Sequence, residues 1–290
     1  MGGSGMGGNI LQDYLSVNLQ VPFIICKDYT LPAYAGKDTL LMISSYSGET
    51  VETLDTLRQG IKKKCNIACI SSGGTVEKIA VQKHLPHFKI PGGMPPRTCV
   101  GYSVVAQLYV LHRAGLISNS FIRDVKDVAD FLNLNSKNIR TAARLLAGKI
   151  YKNIPLIYTS AAYQSAGLRW KQQLNENPEI HSFHNIIPEM NHNELAAFRD
   201  TNRSFAAIFL RSNIDNYEVQ RRFQLMTSLI KNKVYQIYQV EAKGVGKLQQ
   251  LFYFIHFGDW LSYHISVLRN VDAVDITVLN KLKKALSKNQ

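Results

Sequence analysis

The run Ser44-Ser45-Tyr46-Ser47-Gly48-Glu49-Thr50 gathers three serine hydroxyls and one threonine hydroxyl around a single glycine. It follows Leu40-Leu41-Met42-Ile43, a short apolar run of the kind that forms a buried strand. It precedes Val51, Leu54, Leu57 and Ile61, whose spacing predicts a helix starting near Gly48 to Thr50. Amides in the first turn of a helix have no intrahelical acceptor and sit at the positive end of the dipole, so a phosphate there collects several charge-assisted bonds. Ser45, Ser47 and Thr50 add side-chain donors. The design needs no lysine, and the Walker pattern is absent. An ordinary N-cap is the competing reading, since serine and threonine favour that role. Capping needs one hydroxyl, whereas this turn offers several.

Other reactive side chains narrow the chemistry. His181, His184 and His192 form an H-x-x-H pair with a third histidine nearby. On a strand, residues three apart face opposite sides, so His181 and His184 do not share a metal, and neither a metal nor a cofactor is expected. His192, flanked by asparagines just before a predicted helix, suits proton transfer near neutral pH. Cys65 and Cys69 lie in or beside the apolar run 65–70 and read as buried strand residues. With Cys26 and Cys99 they follow no secretory leader, which points to a reduced, cytoplasmic setting. The net charge of +13 raises the question of nucleic acid. The basic residues are scattered, with local groups only at Lys62-Lys63-Lys64, Arg221-Arg222 and residues 281–288, so no nucleic-acid partner is expected and the field suits steering of a small dianion. No apolar run approaches the roughly 18 residues needed to span a membrane.

The elements that must position these groups alternate between strand and helix. In the first half the order is 23–26, 40–44, 49–59, 66–71, 76–83, 88–90 and 98–113; in the second it is 154–159, 162–175, 184–187, 194–198, 205–210, 216–230, 234–240 and 247–268. Such alternation implies parallel strands with helical crossovers. The expected division is an α/β domain over 1–118, one or two linking helices over 119–150 and a second α/β domain over 151–290. Ligands in such sheets collect at the carboxyl ends of the strands, where the hydroxyl-rich turn lies, and two units meeting near 115–150 would form a cleft.

Over nearly its whole length the chain resembles the bifunctional phosphoglucose/phosphomannose isomerases, built from two sugar isomerase (SIS) domains. The markers are Met1-Gly2-Gly3-Ser4-Gly5-Met6-Gly7-Gly8, the turn 44–50, Pro91-Gly92-Gly93-Met94-Pro95-Pro96-Arg97, Leu174-Asn175-Glu176-Asn177-Pro178 and Glu189-Met190-Asn191-His192-Asn193-Glu194, in the family's order. The resemblance implies three-layer αβα domains with flavodoxin-like parallel sheets. It also implies interconversion of glucose 6-phosphate and mannose 6-phosphate with fructose 6-phosphate through a cis-enediol, without metal. Ser45, Ser47 and Thr50 fall on the family's phosphate-binding residues and Ser4 on the serine lining its sugar site. Arg97 falls on the arginine that steadies the enediolate, and Glu176 on the base that carries the proton between C1 and C2. His192 falls on the ring-opening histidine, supplied by the neighbouring subunit of a homodimer. Lys283 aligns with a lysine that assists ring opening, with Lys281 and Lys284 near enough to leave the register open. Thr277 is the nearest counterpart of the threonine linked to acceptance of both C2 epimers.

The residue types suit these roles. Moving a proton between adjacent carbons needs one mobile carboxylate, and Pro178 places Glu176 at a helix C-terminus, where the dipole raises its basicity. Arg97 follows Pro95-Pro96, which restrict the backbone behind a permanently charged, multi-donor group suited to an enediolate oxygen. A non-catalytic sugar-phosphate-binding SIS protein is the alternative; it would have no need of Glu176.

One departure stands out. The family carries a helix and a strand ahead of its first glycine-rich loop, whereas this chain begins inside that loop. In the strand order 2-1-3-4-5 the missing first strand is interior, and its absence leaves backbone groups unpaired. A start codon assigned too late, or a fragment, is favoured over a cloning linker, with about 35 to 45 residues expected ahead of Met1.

Overall fold

The structure is a computed structural model and describes residues 2–287, excepting the side chains of Lys283 and Ser287. The chain divides between Val125 and Lys126 into two compact units.

The first unit contains α1 (Gly2–Leu15), β1 (Leu40–Ser44), α2 (Val51–Lys62), β2 (Asn66–Ser71), α3 (Gly74–Gln82), β3 (His87–Lys89), a 3-10 turn (Pro96–Thr98) and α4 (Val100–Arg113). The strands are parallel in the order β1-β2-β3. Successive residues of a strand face opposite sides, and the core follows that rule. Ile43, Ile67 and Cys69 pack against Leu54 and Leu57 of α2 and Val76 and Ala80 of α3. Ala68 and Ile70 pack with Ala106 and Val110 of α4 in a separate cluster. Burial on both faces explains why these strands read as apolar runs.

Two expectations for this unit are corrected. The opening glycines, read as a loop, are helical from Gly2 onward. Their value is close contact: a Cβ on Gly7 would lie 2.3 Å from Ser103 Oγ, so bare backbone lets α1 settle against α4. Residues 23–26, read as a strand, adopt no regular structure. β1 is an edge strand, and a cavity of about 810 Å³ lies beside it, lined by Val21, Phe23 and Ile25 and by Leu40, Met42 and Ser44. With no strand between them, neither segment has a ladder partner on that side.

The second unit takes most of α5 (Phe121–Ile150), one helix of 30 residues where one or two were expected. There follow β4 (Ile154–Ser160), α6 (Gln164–Glu176), β5 (Phe183–Ile187), β6 (Phe205–Arg211), α7 (Tyr217–Ile230), β7 (Gln236–Glu241), α8 (Lys247–Arg269) and α9 (Thr277–Ser287). All four strands are parallel in the order β5-β4-β6-β7. This is the flavodoxin-like arrangement, with the chain's first strand of the sheet inside rather than at its edge. Tyr158, Phe209, Phe223 and Met226 centre one core cluster. α6 packs on α8, where the Trp170 indole donates to the Phe254 carbonyl at 2.7 Å and stacks on Phe257 with centroids 5.5 Å apart. The helix expected over 194–198 is a 3-10 segment, Glu194–Arg199, begun by Asn193, whose side chain accepts the Glu194 amide. No helix among the described residues is long and apolar enough to cross a membrane.

The edge position of β1 has a measurable signature. Asn66 donates to the Thr39 carbonyl and Ser45 to that of Ile70, so the odd-numbered residues of this strand bond to β2 while Leu40, Met42 and Ser44 point to the cavity. Hydrogen exchange is expected to show alternating protection along β1, slow at Leu41 and Ile43 and fast at Leu40 and Met42. Uniform protection would mean that the outer edge is paired in solution.

Candidate functional site

β1 delivers the turn 45–50 to the N-terminus of α2. Thr50 occupies the N-cap position, yet its side chain makes no capping bond; its hydroxyl pairs instead with Ser45 Oγ at 3.0 Å. Ser45 Oγ also accepts the Gly48 amide, and Ser47 Oγ accepts the Glu49 amide, both at 3.2 Å. The exposed Ser47 hydroxyl keeps its proton available to donate. Among the described residues, the amides of Ser47, Thr50, Val51, Glu52 and Thr53 meet no protein acceptor. A helix start with open donors and no side-chain cap can hold an anion.

Gly48 makes this shape possible. Its φ of +71° lies in the left-handed region, and a Cβ there would stand 2.0 Å from the Gly73 carbonyl oxygen. The turn is tied to the start of α3 by the Val76 amide, which donates to Gly48 O at 3.1 Å. Glu49 completes the tie. Its two carboxylate oxygens accept the Thr75 amide and the Thr75 hydroxyl, each at 2.8 Å, so it caps α3. Glu49 was not singled out from the sequence; its signal is Gly73-Gly74-Thr75, a helix start without an acidic or amide cap of its own.

Of the other expected residues in this unit, Ser4 meets the turn and Arg97 lies on a neighbouring one. Ser4, on α1, accepts the Tyr46 amide on its Oγ at 2.8 Å, and its carbonyl accepts Ser103 Oγ at 3.3 Å. Arg97, in the 3-10 turn packed on α1, is only 8% exposed. The first unit therefore brings together Ser4, Ser45, Ser47 and Thr50, with Arg97 buried on the neighbouring turn.

The second unit holds the remaining candidates. Glu176 is the last residue of α6 and half-buried, at the helix end where Pro178 was expected to put it. The loop beyond it is pinned: Asn177 donates to Ser262 Oγ at 2.9 Å, Asn175 donates to the Ile180 carbonyl at 2.8 Å, and Arg269 Nε donates to the Pro178 carbonyl at 3.2 Å. His192 ends the 3-10 turn Glu189–His192 and is exposed. Thr277 opens α9, where its amide and hydroxyl both donate to Asp275 Oδ1, at 2.7 and 2.6 Å. That double bond holds the Asp275 carboxyl below its ordinary range and engages the threonine locally. The side chain of Lys283 lies outside the described residues, while Lys281 and Lys284 are exposed on the same helix.

The histidine pair separates further than strand alternation predicts. His181 precedes β5 and is exposed, whereas His184 lies on β5 with Nε2 3.0 Å from Thr159 Oγ1. Burial, then the charge of Lys171, lowers His184 to about 4, so its ring is neutral near pH 7. Gly167 leaves room for it, since a Cβ there would fall 2.3 Å from His184 Nε2. His184 is a packing residue of the β4–β5 face.

Known proteins resemble the chain over almost all of its length. Residues 139–286 match the family model of the bacterial phospho-glucose isomerase C-terminal SIS domain. A bifunctional phosphoglucose/phosphomannose isomerase of Thermoplasma acidophilum is 35% identical, over 99% of this chain and 88% of the relative. Its counterpart in Thermoplasma volcanium is 31% identical over 99% of this chain and 90% of the relative. Among solved structures, the C-terminal domain of a glucosamine-fructose-6-phosphate aminotransferase from Francisella tularensis superposes with a TM-score of 0.77 at 15% identity, over 94% of this chain and 84% of that one, a likeness of fold.

The turn's geometry yields a direct expectation. Ser47→Ala removes one donor to a bound anion while leaving the Gly48 packing intact, which should weaken binding by about 1.5 to 3 kcal/mol. Calorimetric titration with a hexose phosphate checks this, and an unchanged Kd would exclude Ser47 from the cradle.

Proposed function

Since the chain belongs to the bifunctional phosphoglucose/phosphomannose isomerase family and is a sugar-phosphate isomerase, we propose that it interconverts glucose 6-phosphate and mannose 6-phosphate with fructose 6-phosphate by proton transfer through a cis-enediol. The observation that carries the reading is the set of open amides at the start of α2, flanked by the Ser45–Thr50 pair and Ser47. Such a cradle suits the substrate's phosphate, remote from the reacting carbons. Binding energy gathered there can hold C1 and C2 in register for the chemistry.

In this reading Ser45, Ser47, Thr50 and the α2 amides grip the phosphate and Ser4 lines the sugar. His192 and Lys283 assist ring opening by moving the proton between the ring oxygen and the C1 hydroxyl. The Glu176 carboxylate then takes the C2 proton of the aldose, and the electron pair forms the C1–C2 double bond of the enediol as the carbonyl oxygen becomes an enediolate. Arg97 stabilises that oxygen with a charge that pH does not remove. Transfer of the hydroxyl proton from O2 to O1, with return of the same C–H proton to C1, gives the ketose; return of that proton to either face of C2 gives glucose or mannose phosphate, with Thr277 assigned to that tolerance. No metal enters the scheme. The four thiols, all free, suit a reducing cytoplasm. We further propose a homodimer in which His192 serves the site holding the partner's base.

Three measurements test the scheme. Purified protein incubated with fructose 6-phosphate should yield both aldoses on chromatography, at a rate unaltered by a chelator. Glu176→Gln should bind substrate normally yet lose deuterium incorporation from solvent at C1 and C2, because an amide does not accept the C–H proton; incorporation at the parent rate removes Glu176 from the mechanism. Co-refolding of Glu176→Gln with His192→Ala chains tests the dimer. If the two residues come from different subunits, one site of each heterodimer is intact and activity returns relative to self-refolded controls. If they come from one chain, mixing restores nothing.

A further inference from the structure

The turn that carries His192 is anchored on every side except at His192. Glu194 Oε1 accepts the Tyr158 hydroxyl at 2.5 Å and Oε2 accepts Asn185 Nδ2 at 2.7 Å. Tyr158 on β4 and Asn185 on β5 are register partners, so one carboxylate spans two neighbouring strands at the same rung. Tyr158 is 1% exposed; burial first, then the bond to Glu194, raises its phenol, which stays protonated and can only donate to the carboxylate. Ahead of His192, Met190 is sealed into the same core cluster as Tyr158. Asn193 accepts the Glu194 amide at 2.6 Å and donates to Glu189 Oε1 at 2.9 Å, and Arg222 reaches Asn191 Oδ1 at 3.4 Å. His192 itself is exposed, and its side chain makes no hydrogen bond among the described residues.

We infer that Glu194 is a positioning residue: by bridging Tyr158 and Asn185 it sets the orientation of the turn that presents the His192 imidazole. Holding this partly buried carboxylate against the strands costs desolvation that an apolar side chain would avoid. What the carboxylate adds is direction, because two charge-assisted bonds to adjacent strands fix the turn to within a bond length. The inference rests on the reading of His192 as a proton-transfer group, and its test separates the two.

Glu194→Gln and Tyr158→Phe are made in the full chain, alone and in a His192→Ala background, with melting curves to verify folding. Glu194→Gln is expected to lower kcat for hexose-phosphate isomerisation by about ten- to a hundredfold with little change in KM, the scale of a displaced catalytic group. In the His192→Ala background the same change should cost less than about twofold, because a residue acting through another has nothing left to position. The ring resonances of His192, followed by NMR, should shift or broaden in Glu194→Gln. Losses that multiply in the two backgrounds, or ring resonances that stay in place, overturn the proposal. Should Glu194→Gln not fold, Tyr158→Phe carries the same comparison with one bond removed. A parent protein inactive on hexose phosphates would remove the catalytic reading, while the ring resonances still decide whether Glu194 positions the turn.

Discussion

The first unit depends on the close approach of two backbone turns. Gly48 and Gly74, both at positive φ, let the turn after β1 and the turn after β2 touch: side chains there would place a Cβ 2.0 Å from Gly73 O and 2.4 Å from Ser47 O. Neither carbonyl is a flexible side chain that could step aside, so the shape of the anion cradle is inseparable from the absence of those atoms. Glu49 then fixes the contact by capping α3, and its charge is directed into that helix start rather than toward the open amides of α2.

The second unit solves the same topological position differently. The turn after β6 bends its own carboxylate inward: Asp215 accepts the Ser160 hydroxyl at 2.5 Å and the Ser212 amide at 3.1 Å. Burial raises this carboxyl, and Ser160, Ser212, Arg211 and Lys247 oppose the rise. Where the first unit leaves backbone donors open at a strand end, the second engages the Ser212 and Ile214 amides with the Asp215 carboxylate and the Ser212 hydroxyl, and joins Ser212, Tyr163 and Gln250 in one buried network. The network stiffens this end of the second unit. That rigidity suits a unit assigned the proton-moving groups, which tolerate displacement poorly. The pair of buried Arg169 with partly exposed Asp259 at 2.7 Å and the Trp170–Phe257 stack hold α6, and Glu176 at its end, against α8.

Much of this was legible in the residues. The strand over 40–44, the strand over 66–71 and the helix after Thr50 were read from apolar runs and helical spacing, which depend on local periodicity alone. The hydroxyls of Ser45, Ser47 and Thr50 were recognisable because a cradle of consecutive residues is itself local. Residues 23–26 misled for the opposite reason: Phe23, Ile24 and Ile25 have strand-like chemistry, but a strand exists only where another strand pairs with it. The opening glycines misled because glycine serves turning and close packing alike, and only the presence of Ser103 beside Gly7 distinguishes the two.

By itself the sequence determined the α/β alternation, the position of the hydroxyl-rich turn and the placement of Glu176 at a helix end, since each follows from residues within about a dozen positions of one another. The tertiary structure decided which hydroxyls remain donors and which are engaged: that Thr50 pairs with Ser45 instead of capping α2, that Ser4 meets Tyr46, that Asp275 occupies Thr277, and that Tyr158 and Asn185 converge on Glu194. Several of these partners lie tens of residues apart, and spacing along the chain carries no record of them. A side chain's chemistry is written in the sequence, but its hydrogen-bond partner is set by the packing that brings distant segments to within about 3 Å.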